Sequence, residues 1–235
     1  MKTLRLIISG ILIGLSSGAF AVPALQVYGV GSTAVDLTGD EDSWLLTDPT
    51  GSLELIGTYQ NKNVVSITNA FLVLTTEAVS GNPFGSDYAK FDSADDFERS
   101  IGATFNNHSP YGLDAALVDT FVYDLSLIGM DSFARVGETK DCNADVPGTT
   151  DCASASNSTG QIHTFNYDFS GLGLDSVHFD LVALITDGGG NRGWRSSWNI
   201  NPGSHDTTWV KVPESSSVLM LFVGLLSLVA VRRKN

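Results

Sequence analysis

The residues best able to do chemistry in this chain fall in a few short stretches. Ser204-His205-Asp206 holds the three residue types of a hydrolytic triad, but in consecutive positions. Neighbours in an extended segment point to opposite faces, so these three cannot relay a proton among themselves. No G-x-S-x-G nucleophile turn is present either. A turn after Asn201-Pro202-Gly203, with Ser204 or Asp206 bonded to backbone amides, accounts for the same residues. His178 and Asp180 are two apart and share one face of a strand. A metal could lie between them if His205 or Asp206 arrived from elsewhere. Zinc needs three or four convergent ligands, however, and there is no H-E-x-x-H or cysteine set. A polar strand face is the simpler reading of that pair.

Asp36, Asp40, Glu41 and Asp42 crowd one Gly-containing stretch, and Asp92, Asp95 and Asp96 another. Dense hard oxygens suit Ca²⁺, which takes about 6–8 of them, so Ca²⁺ is the one cofactor considered, with Asp36, Asp40 and Asp42 as candidate ligands. No D-x-[DN]-x-[DN]-G loop accompanies them, and a metal-free acidic loop explains the same residues. Trp194 and Trp198 lie with Arg192 and Arg195 in a Gly-rich stretch read as a loop. Trp194, Trp198 and Arg195 are candidate ligand contacts, because exposed indoles beside polar groups stack on sugar rings. The alternative is that both indoles tuck beneath the loop as a satellite core. Glycoside hydrolysis needs two carboxylates about 5–9 Å apart, and no motif singles out such a pair. No catalytic residue is assigned.

Cys142 and Cys152 are the only cysteines, in a Gly/Pro/Asn/Ser/Thr-rich segment without histidine. In an exported chain such a pair is expected to be bridged, pinning a loop. All 26 acidic residues but only 8 of the 13 basic ones lie within residues 22–214, a net charge of −18 there. Such a segment repels nucleic acid and anionic lipid, and suits divalent cations or neutral sugars.

The elements that must position these residues read as strands. Branched and aromatic runs bounded by Gly, Pro, Asn and Asp cover 24–30, 52–59, 64–75, 120–128, 161–169, 176–186 and 209–212. The run 64–75 divides into two strands at Thr68-Asn69. Val177, Phe179, Leu181, Ala183 and Ile185 share one face. Only 89–100 and 111–118 could hold a helical turn or two. The expectation is an all-β, two-sheet antiparallel sandwich, jelly-roll-like, in one domain spanning 22–212.

Both ends carry export features. Lys2 and Arg5 precede an apolar run from Leu6 to Leu15, and Ala19-Phe20-Ala21 forms an A-x-A cleavage site. Residues 1–21 therefore read as a signal peptide, with signal peptidase as a processing partner. At the other end Pro213-Glu214 and three serines lead into the uncharged run 218–231, then Arg232-Arg233-Lys234. A hydrophobic run stopped by positive charge is a single transmembrane, stop-transfer segment.

This 213–235 tail resembles the PEP-CTERM sorting signal of Gram-negative bacteria, with Ser215 where the second proline is expected. The resemblance implies recognition and cutting by exosortase near Pro213 and Glu214, with membrane contact through the tail before cleavage. Val22-Pro23-Ala24-Leu25-Gln26-Val27-Tyr28, the strand at 52–57, Val177-His178-Phe179-Asp180 and Pro202-Gly203-Ser204-His205-Asp206 resemble the choice-of-anchor N type of surface proteins. That resemblance implies a surface location and no particular activity. The expected function is a non-enzymatic envelope, surface or matrix protein linked to exopolysaccharide or biofilm. A secreted carbohydrate-active hydrolase of sandwich form, using paired carboxylates, is the rival.

Overall fold

The computed structural model describes residues 22–36, 42–59, 64–103, 118–145, 147–189 and 193–212. The two terminal signals, residues 1–21 and 213–235, lie outside them, as do Asp40 and the expected helical turns at 111–117. Among the described residues no helix is long and apolar enough to cross a membrane.

The chain is all-β in two sheets. The smaller sheet has the order β1 (Leu25–Gly29), β4 (Thr50–Tyr59), β9 (Ala153–Asp168), β8 (Gly137–Asp141). The larger runs β2 (Thr33–Asp36), β3 (Asp42–Leu46), β12 (Thr207–Val210), β10 (Ser176–Gly189), β5 (Val64–Glu77), β7 (Val118–Asp124), β6 (Tyr88–Phe91). A further strand, β11 (Gly193–Ile200), also pairs with β10. Pairing is antiparallel except between β3 and β12, which are parallel.

The core lies between the sheets and follows the alternation of the strands. Val177, Phe179, Leu181, Ala183 and Ile185 of β10 face it, as expected, opposite Leu53 and Leu55 of β4 and Phe165 and Tyr167 of β9. A second, smaller cluster on the far face of the small sheet joins Tyr28, Trp44, Ile56, Cys142 and Ala144. The Trp44 indole donates from Nε1 to the Cys142 carbonyl at 2.7 Å and meets Tyr28 edge-on.

Several elements differ from the sequence expectation. Residues 64–75 form part of one strand, and the expected break is a bulge. Asn69 takes a left-handed φ of 53°, and the β5–β10 register slips between Val182 and Leu184. The run 120–128 stops being strand at Asp124, whose carboxylate caps a 3-10 turn at Leu125–Ile128. The helical stretch at 89–100 is β6 followed by α1 (Ala94–Ile101), capped by Ser93, whose Oγ accepts from the Asp96 amide. β2, β3, β8 and β11 were not foreseen as strands.

The Cys142–Cys152 disulfide is formed and closes the connection from β8 to β9, with Cα atoms 4.4 Å apart. Cys142 itself is fully buried, so the bridge anchors the apolar Trp44 cluster as well as a loop. Closing a loop of this size stabilises by about 2–3 kcal/mol. The double change Cys142→Ser/Cys152→Ser is expected to lower the free energy of unfolding in urea by about that amount.

Candidate functional site

β10 has one continuous partner, β5, on one edge, and two partners in succession on the other. β12 pairs with Ser176–Phe179 and β11 with Val182–Gly189. Between the pairs Phe179–Thr207 and Val182–Ile200, β10 advances three residues while the opposite chain advances seven. β11 and β12 therefore make one interrupted strand, and the excess at 201–206 is expelled as a turn. Asn201 closes the seam. Its side-chain Oδ1 accepts from the Leu181 amide at 2.6 Å, and its own amide donates to the Leu181 carbonyl at 3.2 Å.

Three ionisable side chains meet at this seam. His178 and Asp180 project from the face of β10 opposite the core, and Asp206 arrives from the residue before β12. All three are buried, and their ligand atoms lie within 4.8 Å of one another. His178 Nε2 is 3.3 Å from an Asp180 oxygen and 3.7 Å from an Asp206 oxygen. Its Nδ1 is 2.9 Å from the Thr208 hydroxyl, which in turn accepts from Ser43 Oγ at 3.2 Å. Asn201 Nδ2 donates to the other Asp180 oxygen at 3.2 Å. The pairing of His178 with Asp180 was legible from their spacing; the arrival of Asp206 depends on the seam.

The same turn carries Ser204-His205-Asp206. The turn expected after Asn201-Pro202-Gly203 is present as a 3-10 turn at Gly203–His205, with side-chain contacts in place of the expected bonds to backbone amides. Ser204 Oγ reaches His205 Nδ1 at 2.9 Å, and His205 Nε2 meets Asp141 of β8 at 3.1 Å. Asp206 turns the other way, to His178. A neutral imidazole satisfies both contacts, accepting from Ser204 and donating to Asp141. The Ser204 carbonyl accepts from Ala144 at 2.8 Å, so the turn is tied to the disulfide-bearing segment.

The tryptophans stand on a strand, where a loop was expected. In β11, Trp194, Ser196 and Trp198 share the face of β10 that carries His178 and Asp180, whereas Arg195 points to the opposite face. Trp194 is 73% exposed. Trp198 is half-buried against Phe71, with ring centroids 5.8 Å apart, in a cluster with Val73, Phe97, Val122 and Val182. The satellite-core alternative thus holds for Trp198 and fails for Trp194. A depression of about 440 Å³ beside Trp198 is lined by Leu184, Ser196 and Ser197, with Gly102 and Ala103 beyond α1. Of the calcium candidates, Asp36 and Asp42 are register partners where β2 meets β3, and Asp40 lies outside the described residues.

Thr208 and Asp141 belong to these clusters and carried no sequence signal, Asn201 was read only as the start of a turn, and Thr75 stands opposite His178 in register. Each is defined by a partner at least 20 positions away.

No protein-family model, no curated protein and no solved structure matches this chain.

Burial pushes the His205 imidazole below its ordinary value of 6.5, against the opposing pull of Asp141 and Asp145. The folded state therefore prefers the neutral ring more strongly than the unfolded chain does. The corresponding stability is complete above the unfolded value and is lost as pH falls below it towards the folded one. Between pH 7.5 and 5.5 the wild type is expected to lose stability in urea with a slope from this group of at most about 1.4 kcal/mol per pH unit. His205→Gln should flatten that slope.

Proposed function

We propose that this is an exported, non-catalytic cell-surface or extracellular-matrix protein of a Gram-negative bacterium, sorted by exosortase and deployed in a polysaccharide layer. The observation that supports this reading best is the Cys142–Cys152 disulfide, which belongs to an oxidising compartment. It agrees with the A-x-A site at Ala19 and Ala21 and with the Pro213-Glu214 motif, apolar run, Arg232 and Arg233 of the tail. The single domain at 22–212, a jelly-roll-like sandwich in this proposal, would then be the mature protein. Its net negative charge keeps it soluble and away from nucleic acid.

The binding surface in this reading is the outer face of β11. Trp194 and Trp198 lie four residues apart on one strand face, hence about 13 Å apart, with the Ser196 hydroxyl between them. The exposed Trp194 indole, with the Ser196 hydroxyl and the outer edge of the packed Trp198 ring along a line from it, suits an extended neutral polysaccharide, whose sugar faces stack on aromatic rings. Arg195, on the opposite face, would contact such a ligand only from the strand's edge.

Intact mass and cell fraction, measured in the native host, test the export half. A chain from Val22 to near Pro213 with the disulfide intact is expected, outside the inner membrane. A protein retaining Arg232 to Asn235 in the inner membrane would overturn exosortase sorting. For the binding half, Trp194→Ala is expected to reduce retention on a neutral polysaccharide matrix by about tenfold, since stacking contributes on the order of 1 kcal/mol or more per ring. Turnover of the polysaccharide that is lost on a single Asp or Glu change would favour the hydrolase instead.

A further inference from the structure

We propose that His178, Asp180 and Asp206 form a divalent-metal site, suited best to Zn²⁺, that clamps the seam between β10 and β12. The inference goes beyond the export and binding reading and does not depend on it.

Geometry is the first argument. A four-coordinate zinc with bonds of about 2.0–2.1 Å holds its donor atoms about 3.3–3.5 Å apart. The two separations from His178 Nε2 to the carboxylate oxygens are 3.3 and 3.7 Å. The third separation, between the two carboxylates, is within 4.8 Å, so all three donors can reach one ion.

Charge is the second. Two carboxylates and an imidazole are buried together here, and buried polar groups of this kind are found paired or coordinating a metal. A dication compensates both carboxylates and leaves the imidazole neutral, the form that ligates.

The surrounding shell is the third. Thr208 stands at Nδ1 of His178 and is itself fixed by Ser43, so Nδ1–H can donate to Thr208 and turn the Nε2 lone pair towards the carboxylates. Asn201 holds the non-facing oxygen of Asp180. Each of these is a contact that orients a ligand from behind.

An independent observation marks a further position. Thr75 of β5 lies directly opposite His178 in register and on the same face. Its hydroxyl is buried, at 3% residue exposure, and has no hydrogen-bond partner. Thr120, next across the sheet from Thr75, is in the same condition at 0% exposure. An unsatisfied buried hydroxyl costs on the order of 1–3 kcal/mol. A water carried by the metal on the β5 side of His178 is the kind of partner that Thr75 lacks. The donor set argues for zinc over calcium. It offers one imidazole nitrogen and few oxygens, whereas Ca²⁺ takes about 6–8 oxygens.

The test uses the full chain in detergent, stripped with chelator and dialysed with or without Zn²⁺. The wild type is expected to retain about one zinc per chain by elemental analysis. Its Tm should rise by roughly 5 °C or more at a hundredfold excess over Kd. Co²⁺ in place of Zn²⁺ should give the intense visible absorption of a four-coordinate site. Asp180→Asn, nearly isosteric, should weaken metal retention by at least about tenfold. Asp175→Asn, at an exposed carboxylate, should not. Retention in Asp180→Asn equal to wild type would overturn the site. Should that variant not fold, the wild type decides alone: no retained zinc, no Tm change and no visible cobalt band would overturn it equally.

Discussion

A strand buried on both faces must have every backbone amide and carbonyl paired, because an orphaned group away from water costs free energy comparable to a lost hydrogen bond. β10 is such a strand, and its difficult residue is Leu181, where β12 has ended and β11 has not begun. Asn201 supplies what the missing strand would have supplied, an acceptor for the Leu181 amide and a donor for its carbonyl. Much else at this end of the molecule follows from that substitution. The chain between Asn201 and Thr207 is freed from the ladder and puckers outward. The turn it makes sends His205 towards Asp141 of the small sheet and Asp206 towards His178 of the large one. One short segment thereby ties both sheets and the disulfide-bearing connection together.

The polar groups gathered there sit in unlike surroundings. The Ser204–His205–Asp141 chain is satisfied by a neutral ring and fixes the turn against β8. The His178–Asp180–Asp206 group gathers one imidazole and two carboxylates in a buried place backed by Thr208 and Asn201. The exposed aromatic face of β11 continues along the same side of β10. Buried polar order and exposed indoles thus share a single sheet face, with Trp198 and Val182 as the apolar divide between them.

What the sequence made legible was whatever period-two alternation controls. The inward face of β10, the core-facing Phe165 and Tyr167 of β9, and the Leu53–Leu55 face of β4 were all readable, because each strand buries one face in full. Strands that alternate poorly were missed. β11 is rich in Ser, Asn, Arg and Gly and reads as a loop; it is a strand because β10 offers it an edge. β3 pairs in parallel with a strand more than 160 residues away, a partnership that no local pattern announces. At the site, spacing placed His178 and Asp180 together. Asn201-Pro202-Gly203 announced the turn at 203–205, but which way Ser204, His205 and Asp206 leave it depends on the seven-against-three mismatch, which is visible only once both registers are known.

The seam also orders assembly in time. β11 returns on β10 within a local hairpin whose ends, Gly189 and Gly193, nearly touch in sequence, so that pairing needs little loop closure. β12 pairs with β10 over Ser176–Phe179 across a separation of about 30 residues, and with β3 only by joining Thr207 to Trp44 across most of the chain, the kind of contact that forms late. Asp206 is carried into place by that docking. The His178 cluster therefore costs more loop closure than the aromatic hairpin, and its burial beneath β3 costs more again.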